Sequence, residues 1–206
     1  MTGKFITFEG IDGSGKSTQL AMLAANLRAS GHDVVTTREP GGTPLGEHLR
    51  AAFLETTGPV APMAELLSFA ADRAQHVEHM IKPGVAAGKI VISDRYADAT
   101  FAYQGAGRGF TEEQVNSVIA LATGGLKPDL TLFFDITPEE AIRRMSNRRD
   151  ATRNRMDDET AEFYTRVREA YLGIAKREPE RFVVIDASGD IDDTHRKTME
   201  SVLARL

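Results

Sequence analysis

The chain has 206 residues, of which 41% are apolar and 27% charged, with a net charge of −5 and no cysteine. That length suits one domain with a real core and is short for two. Without cysteine there is no disulfide framework and no thiolate-ligated zinc site, and the acidic balance argues against a nucleic-acid-binding domain.

Met1-Thr2-Gly3-Lys4 leads almost at once into an apolar run, without a charged-then-apolar leader, and no run reaches 18 apolar residues. The expectation is a cytoplasmic protein with no membrane span. Strand candidates are residues 5–8, 34–37, 90–93, 130–135 and 182–185, each a short apolar run. Between them the pattern turns helical. Leu20, Leu23 and Leu27 share one helical face, and Gly31 suits the C-terminal cap. Thr111 with Gln114 spells a capping box, and Gly124-Gly125 ends that helix. Thr137-Pro138-Glu139-Glu140 places an N-cap threonine, a proline at the first helical position and a glutamate at the third. Strands separated by helices predict an α/β fold, a three-layer α/β/α sandwich around a mostly parallel five-stranded sheet. Ligands of such sheets bind beyond the carboxyl ends of the strands.

Three loops at that edge carry chemistry. Gly10-Ile11-Asp12-Gly13-Ser14-Gly15-Lys16-Ser17 fits the phosphate-binding P-loop pattern. Its glycines let backbone N–H groups turn inward around anionic oxygens. Lys16 would reach the β- and γ-phosphates, Ser17 would hold Mg²⁺, and the following helix would add its positive N-terminal end. The second loop is Arg38-Glu39-Pro40-Gly41-Gly42, and the third is Asp94-Arg95-Tyr96. An acid closing an apolar strand, as Asp94 does, can orient Mg²⁺ and its waters. Arg95 beside it can grip phosphates and neutralise charge in transfer. Asp135 is a rival for the metal role, but it runs directly into Thr137-Pro138 and is expected to help that turn. Phe69 and Arg73 are four residues apart and share a helical face, either as a nucleobase platform with a donor or as a core phenylalanine and a solvated arginine.

With these motifs in this order, the chain resembles the thymidylate kinase family of bacteria over nearly its whole length. The resemblance is carried by "FEGIDGSGKST", "TREPGGTPLGEHLR", "LLSFAADRAQHV", "DRYADATFAYQGAGRG", "PDLTLFFDITPEEAIRR" and "NRMDDETAEFYTRVREAYLGIA". It implies one domain over residues 1–206 that phosphorylates dTMP to dTDP with ATP and Mg²⁺, a step towards dTTP, and a homodimer. ATP would lie along the loop from Gly10 to Thr18. Phe69 would stack on thymine, Arg73 would bond its carbonyl oxygen, and Thr100 and Gln104 would complete base recognition. Tyr103 would crowd the 2′ position of the sugar. Arg95 would bind the dTMP phosphate, Asp12 would sit near the acceptor, and Arg38, Glu39, Pro40 and Arg50 would line the monophosphate pocket.

The stretch from Arg143 to Arg155 holds six arginines. Alone it reads as a solvated helix end or a nucleic-acid patch. For a kinase of this family it reads as a lid over about residues 143–158, because the P-loop position before Gly15 is Ser14 and not a basic residue. Arg149, Arg153 and Arg155 are the catalytic candidates, Arg144 would stack on adenine, and Ala187-Ser188-Gly189 would face its other side. Two rivals remain. A deoxynucleoside kinase would need a carboxylate base, for which Glu9 could be taken. A P-loop switch would have no use for a monophosphate pocket.

Overall fold

A computed structural model describes residues 3–146 and 159–206. Strand β1 (Lys4–Glu9) leads into helix α1 (Lys16–Ala29) and strand β2 (Val34–Arg38). Helices α2 (Pro44–Leu54) and α3 (Pro62–His76) follow. The chain continues from α3 through a π-helical turn, Val77–Ile81, into α4 (Lys82–Ala86) and then β3 (Ile90–Asp94). Helix α5 (Ala97–Thr100) runs into a second π-helical stretch, Phe101–Gly107. Then come α6 (Glu112–Thr123), β4 (Leu130–Asp135), α7 (Pro138–Ser146), α8 (Ala161–Arg177), β5 (Phe182–Asp186) and α9 (Ile191–Leu203).

The strands form one sheet in the order β2-β3-β1-β4-β5, with every neighbouring pair parallel. Alternate residues of the central strands are buried on opposite faces, as a doubly covered sheet requires. Phe5 and Val91 pack with Tyr96, Val77 and Ile81. On the other face Phe8 stacks on Phe134, with ring centroids 5.0 Å apart. Helix α1 buries Leu23 and Leu27 in the main core, and Tyr171 of α8 stacks on Phe133 at 4.8 Å. No helix among the described residues is long and apolar enough to cross a membrane.

The helix ends follow the local chemistry. Thr111 and Gln114 bond reciprocally, and Gly124 closes α6 with φ 58°. Gly31, with φ 89°, follows α1. Thr137 accepts the N–H of Glu140 at 3.3 Å. The Glu140 carboxylate turns to Arg143 and Arg144 instead of completing a box.

Candidate functional site

The loop between β1 and α1 is glycine-built for two reasons. Gly10, Gly13 and Gly15 have φ of 146°, 85° and 88°, a region side chains disfavour. A Cβ on Gly13 would also stand 2.7 Å from the carbonyl oxygen of Ala141 on α7. Gly15 caps α1 without a side chain, so the first N–H groups of the helix point towards an incoming anion. Lys16 is buried, and its Nζ donates to the Ile11 carbonyl at 3.4 Å. Burial and then the neighbouring Arg95 pull its pKa down, against Asp94 and Asp12. An ammonium so placed gains from a phosphate oxygen. Ser17 donates to Asp94 Oδ2 at 2.9 Å, so these two oxygen groups meet at the crest of β3.

Arg95 follows at once in a left-handed conformation, with φ 72°. Its Nη2 donates to Asp12 Oδ1 at 2.9 Å and to the Tyr103 hydroxyl at 3.1 Å. The guanidinium lies 4.6 Å from the centre of the Tyr103 ring. Burial works against its charge, but Tyr103 and Asp12 outweigh it and hold its pKa well above the usual arginine range.

Two adjoining cavities open here. One lies over the phosphate loop and takes in Lys16, Ser17, Thr18, Arg38 and Asp94. The other is lined by Pro40, Phe69, Arg73, Thr100, Tyr103 and Gln104, together with Phe53. Asp12, Glu39, Arg50 and Arg95 line both. Arg50 donates to the Pro40 carbonyl at 3.0 Å. Its pKa is lowered by burial and then by Arg38 and Arg95, so three guanidinium groups repel one another around the shared wall. An anion relieves that repulsion.

The second cavity has a rigid floor. Arg73 is buried and not solvated. It donates to Glu39 Oε2 at 2.8 Å, Thr100 Oγ1 at 2.8 Å and the Tyr96 carbonyl at 2.9 Å. Glu39 precedes a cis peptide bond to Pro40. Its other oxygen meets His76 Nδ1 at 2.8 Å, and His76 Nε2 lies 2.7 Å from Thr37 Oγ1. Asp72 accepts the Gly41 N–H at 3.0 Å, and burial, with Glu39 nearby, pushes its pKa up to about 6. Phe69 meets Phe53 edge-on, with centroids 4.7 Å apart. Gln104 Nε2 donates to Glu65 Oε1 at 2.8 Å.

The structure gathers most of the expected residues and moves some aside. Ile11 has its side chain in the core, and Ser14 is buried with Oγ lacking a hydrogen-bond partner among the described residues. Asp135 neither faces the phosphate loop nor supports the turn after β4, which Thr137 caps. It accepts Arg168 of α8 through both oxygens, at 2.6 and 2.8 Å. Glu9 lines neither cavity; it accepts the Tyr96 N–H at 2.8 Å and the Tyr171 hydroxyl at 2.7 Å. Arg144 donates to Glu140 at 2.6 Å and to the Ala187 carbonyl at 3.1 Å, so it joins the turn that begins at Ala187. Arg149, Arg153 and Arg155 lie outside the described residues. Sequence reasoning missed His76, Asp72 and Phe53. For His76 and Asp72 a signal existed, since with Phe69 and Arg73 they repeat every three or four residues along α3.

The sequence as a whole points the same way. The family model described as thymidylate kinase matches residues 8–198. The chain is 50% identical to a thymidylate kinase of Ralstonia nicotianae over 210 residues, covering all of both chains. It is 45% identical to one of Chlorobium chlorochromatii, over 98% of this chain and 95% of that one. The crystal structure of thymidylate kinase from Ehrlichia chaffeensis superposes with a TM-score of 0.80 at 36% identity, covering 98% of this chain and 99% of that one. With a P-loop sequence and two cavities that share an arginine-bearing wall at one edge of a parallel sheet, the chain belongs to the thymidylate kinase family, the kinases that carry a phosphoryl group from ATP to dTMP.

Proposed function

We propose that this chain phosphorylates dTMP to dTDP as a single domain, with ATP along the loop from Gly10 to Thr18 and dTMP in the cavity beside it. The observation that carries the reading is the shared wall. Asp12 and Arg95 touch at 2.9 Å and line both cavities, so donor and acceptor phosphates would meet at one place.

The attacking group is a dTMP phosphate oxygen, which is already anionic and needs no strong base. It bonds to the γ-phosphorus in line as the bond to the β–γ bridging oxygen breaks, and ADP leaves. Positioning and charge neutralisation carry the catalysis. Lys16 takes β- and γ-phosphate oxygens. Arg95 grips the dTMP phosphate, with Arg38 and Arg50 beside it. Glu9 lines neither cavity, so it is not the base that a sugar hydroxyl would need.

Phe69 offers its ring to thymine, with Phe53 edge-on beside it. Arg73 uses three of its five N–H groups within the protein, which leaves two for a thymine carbonyl oxygen. The Gln104 amide, turned by Glu65, keeps a carbonyl oxygen to accept the base N–H, beside Thr100. Tyr103, pinned by Arg95, would crowd a 2′-hydroxyl. Arg144, tied to Ala187, frames adenine with the 187–189 turn.

Ser17 and Asp94 are hard oxygen donors at the phosphate cavity, the kind of set Mg²⁺ takes along with phosphate oxygens and water. They would hold the ion, whose charge offsets that of the β- and γ-phosphates. By resemblance, the segment of about residues 143–158 is the lid, and Arg149, Arg153 and Arg155 bring further positive charge to the transferring group. The same resemblance supports a homodimer. The cytoplasm, where ATP and Mg²⁺ are supplied, is the place for the reaction.

The test is ADP release with Mg-ATP and each candidate acceptor. Strong turnover with dTMP, weak with dUMP and negligible with thymidine is expected. Turnover with thymidine would move the chemistry to a sugar hydroxyl. Hydrolysis independent of any acceptor would sink the kinase reading.

A further inference from the structure

Glu9 is a buried acid that the transfer itself does not use. It ends β1 and is 0% exposed. Its two oxygens accept from two different layers of the fold. Oε1 takes the backbone N–H of Tyr96 at 2.8 Å, and Oε2 takes the hydroxyl of Tyr171 on α8 at 2.7 Å. Tyr96 is the residue after Arg95. Among the described residues, Arg95 alone combines a side chain with a positive φ. That conformation costs roughly 1–2 kcal/mol, so its neighbouring peptides must be held from outside.

Four bonds hold them, one of them from the Glu39 N–H to the Asp94 carbonyl at 2.9 Å. The Arg95 N–H donates to the Phe8 carbonyl at 2.9 Å. The Ser93 hydroxyl donates to the Arg95 carbonyl at 2.8 Å. The next N–H along, that of Tyr96, goes to Glu9. The first two need only backbone, whereas the last depends on one side chain whose own place is fixed by Tyr171.

We infer that Glu9 is a positioning residue for Arg95: clasped by Tyr171, it fixes the Tyr96 peptide and so aims the guanidinium at the junction of the two cavities. The inference rests on the reading of Arg95 as the grip on the dTMP phosphate. Burial, with Asp98 nearby, pushes the Glu9 pKa up to about 8, so the carboxyl group is largely neutral at neutral pH. A neutral amide can therefore replace it. Glu9→Gln keeps an acceptor for the Tyr96 N–H, while Glu9→Met fills the space and offers none.

The experiment measures kcat, both KM values and thermal unfolding for Glu9→Gln, Glu9→Met, Arg95→Ala and the double variant Glu9→Met with Arg95→Ala. Glu9→Gln is expected within about threefold of the unsubstituted enzyme. Glu9→Met should lose about tenfold or more in kcat, with the KM for ATP changed by less than about threefold. Added to Arg95→Ala, it should cost less than about twofold more, because the group it aims is gone. A folded Glu9→Met with full kcat overturns the inference. So does Glu9→Gln falling as far as Glu9→Met, or losses that multiply in the double variant. If Glu9→Met does not fold, Tyr171→Phe takes its place in the cycle under the same criterion. Arg95→Ala at the unsubstituted rate is a separate failure: it removes the role of Arg95, and the inference with it.

Discussion

Glu39 and Arg73 face each other at 2.8 Å, each side chain only 3% exposed. Glu39 sits on the loop after β2, and Arg73 sits on α3. The pair locks the loop that walls both cavities to the helix that carries Phe69. Removing one partner of a buried pair leaves the other uncompensated, at a cost of about 3–5 kcal/mol. Glu39→Ala should therefore lower unfolding free energy by about 3 kcal/mol and raise the KM for dTMP more than that for ATP. Denaturant unfolding and steady-state kinetics measure both. An unchanged KM for dTMP would show that Arg73 does not need Glu39 to reach the base.

Glu9 also predicts a dependence of stability on pH. The folded protein keeps the Glu9 proton until about pH 8, while an unfolded glutamate releases it near 4.5. The folded state thus carries an extra proton between these values. Its contribution is fully present below about pH 4.5 and is lost as pH rises through about 8. Asp72, pushed up to about 6 from 3.8, acts in the same direction over a lower window. Melting temperature measured from pH 5 to 9 should fall less steeply for Glu9→Gln than for the unsubstituted chain. Parallel curves would mean that Glu9 is ionised in the fold at neutral pH.

Gly13 and Gly31 separate backbone strain from close approach. Both have positive φ, 85° and 89°, but a Cβ on Gly31 meets nothing within 4 Å, whereas one on Gly13 meets the Ala141 carbonyl at 2.7 Å. Gly31→Ala should cost about 1 kcal/mol of stability and leave the KM for ATP alone. Gly13→Ala should cost more, displace α7 from the loop and raise the KM for ATP by about tenfold. Equal effects from the two would mean that α7 does not brace the phosphate loop.

The strands were legible because each is an apolar run cut off by loop residues; the observed ones reach at most one residue further at either end. The phosphate loop and the Thr111–Gln114 box were legible because their partners lie within a few residues. What stayed hidden depends on distant pairing. Nothing local marks Arg168 as the partner of Asp135, 33 residues away, or His76 as that of Glu39. The π-helical stretch at Phe101–Gly107, which turns Tyr103 and Gln104 into the pocket, breaks the 3.6-residue period on which sequence reading rests. The left-handed backbone at Arg95 is equally invisible, since its supports come from Phe8, Glu39, Ser93 and Glu9.

Asp94 and Asp135 end the two strands that flank β1, yet they should behave in opposite ways. Asp94 meets Ser17 at 2.9 Å over the phosphate cavity, while both oxygens of Asp135 are taken by Arg168. Asp94→Asn removes a charge from the donor set that suits Mg²⁺, so the Mg²⁺ concentration for half-maximal rate should rise by about tenfold or more, with kcat lower. Asp135→Asn breaks a partly exposed, two-bond ion pair between β4 and α8. It should lower stability by about 1 kcal/mol and leave the Mg²⁺ requirement unchanged. A magnesium titration of ADP release on both variants decides between the two acids. A raised requirement in Asp135→Asn alone would return the metal role to Asp135 and leave Asp94 as a partner of Ser17 only.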